Sequence, residues 1–73
     1  MTPPLHLSIP SEHFCTQVRI DFHSKLDDFD VYINDVSRKF TSLRQAYNYL
    51  HAIFGHDDGL QMLSMMTKHC LEH

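Results

Sequence analysis

Two consecutive stretches of the chain alternate apolar and polar residues, which is the pattern of β-strands with one buried and one solvated face. The stretches TQVRIDFHS and FDVYIN each place three large apolar residues on one side, and the polar turn KLDDFD joins them. The inward residues are Val18, Ile20, Phe22, Phe29, Val31 and Ile33. The pattern therefore predicts two antiparallel strands in a sheet that is covered on a single face.

Shorter stretches on either side extend this sheet. After an Asn-Asp turn, VSRKF predicts a third strand with Val36 and Phe40 on the inward side. Arg38 falls on the same side, so we expect it at the sheet margin with its stem along apolar surface. Near the N-terminus, LHLSI alternates between prolines and fits either an edge strand or an extended arm within residues 1–14.

Two helical segments follow the strands. Ser42 is a suitable N-cap and Gln45 lies three residues later, which is the signature of a capping box. The apolar positions of the first helix share one helical face and are Leu43, Ala46, Tyr47, Leu50 and Phe54. Gly55 is expected to end this helix, and Asp57 or Asp58 to cap a second helix in GLQMLSMMTKHC.

The element order β-β-β-α-α predicts a small α+β domain. Its antiparallel sheet has three strands, or four if LHLSI pairs, and two helices pack on one face of the sheet. The 73 residues suffice for one domain, which we expect to span residues 1–70. The last three residues, Leu71, Glu72 and His73, resemble the start of a vector-encoded histidine tag.

Composition and charge narrow the classes of function. The formal net charge of −3 disfavours a general nucleic-acid binder, because the electrostatic footprint of such proteins is basic. The sequence has neither a secretory signal nor the roughly 18 apolar residues of a membrane helix, so we expect a cytoplasmic protein without a membrane partner. We expect Cys15 and Cys70 to be reduced thiols, with a single bridge between them as the alternative.

Catalytic and metal chemistry find little support in the residue pattern. The chain has seven histidines but no C-x-x-C or H-x-x-x-H spacing, and a metal site at His51, His56 and Asp57 is the weakest hypothesis that we retain. Cys15 and His13 share a strand face without meeting as nucleophile and base. Two glycines are too few for a phosphate-binding loop. We therefore predict no enzymatic activity, no catalytic residues, no cofactor and no bound metal.

Two features favour an interaction surface. Met62, Met65 and Met66 cannot all face inward on one helix, so Met65 is expected at the margin. Beside Tyr49 or Ile53, an exposed methionine would form an apolar patch suited to association. The polar face of the sheet carries both signs of charge and one tyrosine. The predicted interaction surface comprises Arg19, Asp21, His23, Tyr32, Lys39, Ile53 and Met65.

The stretch VYINDVSRKFTSLRQAYNYL resembles, in outline, the arm-binding domain of tyrosine recombinases, in which a three-stranded sheet enters the DNA major groove. That resemblance implies a nucleic-acid interface that uses Arg19, Arg38, Lys39 and Arg44. In size, acidity and element order, the chain is also similar to small phage-encoded anti-CRISPR proteins.

The function that these observations favour is a non-enzymatic protein–protein interaction or regulatory module of a bacterium or phage. Its ligand would be a protein partner or a second copy of the chain. One alternative is a nucleic-acid-associated regulator that uses the sheet face. The other is a small inhibitor protein of a phage or mobile element.

Overall fold

The structure is a computed structural model that describes all 73 residues as an antiparallel sheet followed by two helices. The strands are β1 (Leu5–Pro10), β2 (Cys15–Phe22), β3 (Phe29–Ile33) and β4 (Val36–Phe40), and they lie side by side in the order β1-β2-β3-β4. The helices are α1 (Leu43–Phe54) and α2 (His56–Glu72). The predicted α+β fold is confirmed in its four-stranded form.

The N-terminal stretch is a paired edge strand and not a free arm. β1 is antiparallel to β2, with Leu5 opposite Ile20, Leu7 opposite Val18 and Ile9 opposite Thr16. The leucines therefore continue the apolar rows of β2 onto the face that the helices cover. Burying these side chains supplies the free energy that orders the segment.

The core lies between the sheet and the two helices. α1 packs on the β4 side of the sheet and α2 on the β1 side. The buried apolar residues are Leu7, Val18, Ile20, Phe22, Phe29, Val31, Ile33, Phe40, Ala46, Leu50, Met62, Met66 and Cys70. No polar or charged residue is buried with them. Because both helices occupy one face of the sheet, the other face is left uncovered.

β4 is covered less completely than its apolar pattern predicts. Val36 lies opposite the buried Ile33 and faces inward, yet it is 56% exposed because it lies beside the turn at the corner of an edge strand. Arg38 is on the same inward side, and its guanidinium lies 5.1 Å from the centre of the Tyr49 ring. The expected position of Arg38 at the sheet margin is therefore confirmed, whereas the burial of Val36 is not.

The N-terminus of α1 is capped largely as its sequence predicts. The Ser42 hydroxyl accepts a hydrogen bond from the Gln45 backbone N–H at 3.3 Å, which satisfies one free donor of the first turn. The Gln45 side chain accepts from the backbone N–H of Thr41 at 3.3 Å, one residue before the position expected for a capping box. Ala46 and Leu50 are buried on this helix, while Leu43, Tyr47 and Phe54 are half-buried.

The cap predicted for α2 is wrong. The helix begins at His56, so Asp57 and Asp58 lie inside its first turn. Their negative charges interact favourably there with the positive end of the helix dipole. Gly55 alone separates the two helices: its N–H donates to the carbonyl of His51, and the next residue is already helical. Its φ of 95° and ψ of 175° make this abrupt reversal possible.

The interior of α2 agrees with its methionine pattern. Met62 and Met66 are fully buried, and Met65 is 38% exposed at the margin.

Cys70 is a buried free thiol and Cys15 an exposed one. Burial raises the pKa of the Cys70 thiol, while the nearby Lys25 ammonium partly opposes that shift. Neither helix contains a stretch with the length and apolar character needed to span a bilayer.

Candidate interaction surface

The uncovered side of the sheet, called here the outer face, carries a packed group of polar side chains. Arg19 and Tyr32 lie opposite each other on β2 and β3, and the guanidinium carbon lies 4.2 Å from the centre of the tyrosine ring. Arg19 Nε is also 3.2 Å from Asp21 Oδ1. The ring below and the carboxylate beside it hold the arginine in one position.

A second group lies next to the first, where two carboxylates face each other across strands. Asp21 on β2 is opposite Asp30 on β3, an arrangement that destabilises a sheet unless cations compensate it. His23 Nε2 lies 2.7 Å from Asp30 Oδ2, and Lys39 Nζ lies 3.6 Å from Asp28 Oδ1. Together with the Arg19–Asp21 pair, these contacts match three carboxylates with three basic side chains.

These ion pairs orient side chains more than they stabilise the fold. Asp21 Oδ1 and Asp28 Oδ1 are shielded from water and accept no well-aligned hydrogen bond, so each relies on the charge of a nearby cation. The cations themselves are largely exposed, and exposed pairs contribute at most about 1 kcal/mol. The main effect of these ion pairs is therefore to hold the charges of the outer face in a fixed arrangement.

His23 gives the network a pH dependence. The hydrogen bond to Asp30 raises the pKa of His23 above 6.5, and the charges of Asp30 and Asp28 add to this, while desolvation and Lys39 oppose it. We expect an NMR titration of the imidazole to give a raised pKa that returns towards 6.5 in Asp30→Asn. An unchanged His23 titration in the variant would contradict the assignment.

The raised pKa of His23 also makes the stability of the fold depend on pH, and its direction sets the sign of that dependence. The folded state binds the His23 proton more tightly than the unfolded chain does, so this contribution to stability is fully present below pH 6.5. It is lost as the pH rises through the pKa of the folded state. The Asp30→Asn variant is expected to lack this part of the pH dependence in urea titrations.

The four basic residues of the nucleic-acid hypothesis do not converge on one face. Arg19 and Lys39 lie on the outer face, where each is paired with an aspartate. Arg38 is on the opposite side of the sheet against Tyr49, and Arg44 is exposed on α1. No continuous basic surface of the kind that binds phosphates is formed.

The predicted interaction surface divides into separate regions. Arg19, Asp21, His23, Tyr32 and Lys39 lie together on or beside the outer face. Ile53 and Met65 lie on the helical layer and are not neighbours. Ile53 lies one helical turn after Tyr49, whose ring packs against Phe40 of β4. Met65 instead lines a groove beside β1. The expected methionine–isoleucine patch is therefore not assembled, because Ile53 lies on the helix that packs against β4 and Met65 on the helix that packs against β1.

The histidines near the helix junction contact one another without forming a ligand cluster. The His51 and His56 rings are 5.9 Å apart at their centres, and the Tyr47 hydroxyl is 2.9 Å from His56 Nδ1. Nowhere in the chain do three or more His, Cys, Asp or Glu side chains come together in a way that could hold a metal ion. The His56 ring instead packs edge-on against Tyr47 and helps to join the two helices.

One feature that the sequence pattern did not reveal is a groove of about 250 Å³ between β1 and α2. It is lined by Leu7, Ser8, Ile9, Pro10, Asp58, Gln61, Met62 and Met65. β1 is an edge strand of the sheet, so the groove runs along unpaired backbone. The alternation of LHLSI was a signal for the strand, but only the strand order shows that its outer edge is free.

Comparison with protein-family models, with curated proteins and with solved structures finds no match for this chain.

Proposed function

We propose that the protein is a non-enzymatic interaction module that binds a protein partner through the outer face of its sheet. The observation that supports this proposal is the fixed position of Arg19, which lies 4.2 Å from the ring of Tyr32 and 3.2 Å from Asp21. A side chain that is already ordered loses less conformational entropy when a partner binds. Arginine and tyrosine are also residue types that concentrate binding energy in protein interfaces.

The charge pattern indicates which kind of partner would fit. The outer face presents aspartates between Arg19, His23 and Lys39, so a phosphate backbone would meet carboxylates as well as cations. A protein surface with its own alternating charges can match such a pattern residue by residue, which gives specificity and steers association. We expect this binding to occur in the cytoplasm.

The outer face can be altered without emptying the core. Both helices pack on the opposite side of the sheet, and the core side chains of the strands point towards them. Substitutions at Arg19 therefore remove surface contacts and leave the packed interior unchanged. This separation permits a binding test in which the variant stays folded.

The test compares capture by the wild type with capture by Arg19→Ala. Each purified protein is immobilised and exposed to lysate of the source organism, with and without nuclease, and retained proteins are identified by mass spectrometry. The matched control is Arg44→Ala, which removes the same side chain from an exposed position on α1. We expect a partner that the wild type and Arg44→Ala retain after nuclease treatment and that Arg19→Ala loses.

Other outcomes would refute the proposal. A partner retained equally by all three proteins would place the binding site away from the outer face. Partners that disappear after nuclease treatment would favour the nucleic-acid-associated regulator. If the retained partner is an enzyme whose activity falls in the complex, the module acts as an inhibitor, which is the alternative expected of a small phage or mobile-element protein.

A further inference from the structure

The backbone of β1 presents unpaired hydrogen-bonding groups at the edge of the sheet, and their direction follows from two hydrogen bonds. The Ser11 N–H donates to the Phe14 carbonyl at 2.8 Å, so this pair closes the β1–β2 ladder. The Asn34 N–H donates to the Gln17 carbonyl at 3.5 Å, so Gln17 points towards β3. In an antiparallel ladder, successive residues direct their backbone groups to alternate neighbours.

Both bonds lead to the same assignment for β1. With Leu7 opposite Val18 and Ile9 opposite Thr16, the odd-numbered residues direct their N–H and C=O groups towards β2. His6, Ser8 and Pro10 then direct theirs away from the sheet. Proline has no N–H, and at position 10 it is tolerated because that position makes no ladder bond to β2. The free edge therefore offers the N–H and C=O groups of His6 and Ser8.

We infer that a second copy of this chain pairs antiparallel with β1, so that two four-stranded sheets join into one of eight strands. In the register that places Leu7 on the twofold axis, His6 lies opposite the second copy's Ser8. By symmetry, Ser8 lies opposite the second copy's His6. Each pair exchanges two hydrogen bonds, so all the free groups of both residues are satisfied. Pro10 then faces the second copy's Pro4, and no buried N–H is left without an acceptor.

The side chains of this register are also complementary. On the helix side, Leu7 meets its own copy and Leu5 meets the second copy's Ile9, while His6 and Ser8 lie on the outer face. Leu5 and Ile9 are half-buried in the single chain, and Met65 is partly exposed on the wall of the groove beside them. A second β1 would cover all three residues and narrow the groove, which removes apolar surface from water.

Charge distinguishes this edge from the other one. Residues 1–10 contain no Asp, Glu, Lys or Arg, so two copies of β1 meet without repulsion between like charges. β4 is the other free edge, but it carries Arg38 and Lys39. Self-pairing of β4 would bring these cations together across the axis, which destabilises a strand pair. A symmetric β1 interface is closed, so association stops at a dimer.

The test replaces one outward-pointing N–H. We expect the wild type to sediment at twice the chain mass of 8.6 kDa at high concentration and Ser8→Pro to sediment at 8.6 kDa. Proline at position 8 removes no backbone hydrogen bond within the chain, because this residue directs its N–H away from β2. The one bond that the variant loses is the exposed hydrogen bond, 2.7 Å long, that the Ser8 hydroxyl accepts from Gln17 Nε2. The matched control is Ser37→Pro, at an outward-pointing position of the β4 edge, which should remain dimeric. Circular dichroism verifies that each variant is folded.

A second measurement does not depend on any variant. Hydrogen exchange of the His6 and Ser8 amides should slow with increasing protein concentration, because these groups are paired only in the dimer. The amide of Lys39 on the β4 edge should not respond. A monomer at all concentrations, or a dimer that persists in folded Ser8→Pro, would overturn the inference. Open-ended oligomers lost in both proline variants would also overturn it, since they would indicate pairing of β1 with β4.

The inference does not rest on the proposed function, because the outer face and the β1 edge are different surfaces. A dimer that fails to retain any partner would leave the β1 interface established and refute the outer-face proposal. A monomer that retains a partner through Arg19 would support the outer-face proposal and refute the β1 interface. When both hold, the eight-stranded sheet presents two outer faces on the same side.

Discussion

Replacement of Phe29 by alanine is expected to unfold most of the protein at room temperature. Phe29 is fully buried, and its ring centre lies 6.1 Å from that of Phe22 and 5.9 Å from that of Phe40. Removing a buried phenyl ring costs about 3–5 kcal/mol, because transfer free energy is lost and a cavity remains. A domain below 70–80 residues rarely gains more than about 3–5 kcal/mol from a single core.

The loss can be measured by urea unfolding at one fixed protein concentration, followed by circular dichroism. Phe14→Ala is the matched control, because this phenylalanine is 68% exposed in the β1–β2 loop and should change stability by less than about 0.5 kcal/mol. Phe29→Leu fills most of the space and should remain folded enough to give a full transition. If Phe29→Ala cost no more than Phe14→Ala, the packing described for the core would be wrong.

Replacement of Gly55 by alanine is expected to cost about 1–3 kcal/mol through backbone strain. With φ of 95° and ψ of 175°, Gly55 occupies a region that only glycine populates readily. A Cβ added there would meet no atom within 4 Å, so crowding is not the cause. Asparagine should not rescue the variant, because its tolerance of positive φ applies to the left-handed helical region and not to this one.

Gly59 provides the matched glycine. It lies in the first turns of α2, and a Cβ there would be 3.4 Å from the backbone of His51. Gly59→Ala gains helix propensity and loses a little space, so its stability should lie within about 1 kcal/mol of the wild type. D-alanine at position 55, introduced by chemical synthesis, should be tolerated better than L-alanine, because the mirror image of this backbone conformation is ordinary extended chain. Equal stability of the wild type and Gly55→Ala would contradict the strain argument.

Much of the fold could be predicted because its signals are local. The alternation in β2 and β3, the cap at Ser42 and the stop at Gly55 each depend on residues a few positions apart. Asn34 has φ of 55° in the β3–β4 turn, as its tolerance of left-handed backbone predicts. The cap of α2 was predicted wrongly because a glycine in an unusual conformation ended one helix and began the next without a side-chain cap.

The candidate site was only partly predictable. Arg19, Asp21, Tyr32 and Lys39 share a face because strand periodicity places them there, and that much follows from the sequence. Their ion pairs depend on the register between strands, which sets Asp21 against Asp30 and brings Asp28 near Lys39. The separation of Ile53 from Met65 depends on which sheet edge each helix covers, and no local pattern encodes that choice.

By itself, the sequence determined the type and order of the elements from β2 onwards, the buried side of each central strand and the identity of the inward methionines. These properties follow from residue spacing and from backbone preferences that act over a few residues. The tertiary structure decided that β1 is a free edge, that a groove runs beside it and that the outer face stays uncovered. Such features arise from contacts between segments far apart in the chain, where chain order and register set which groups remain unpaired.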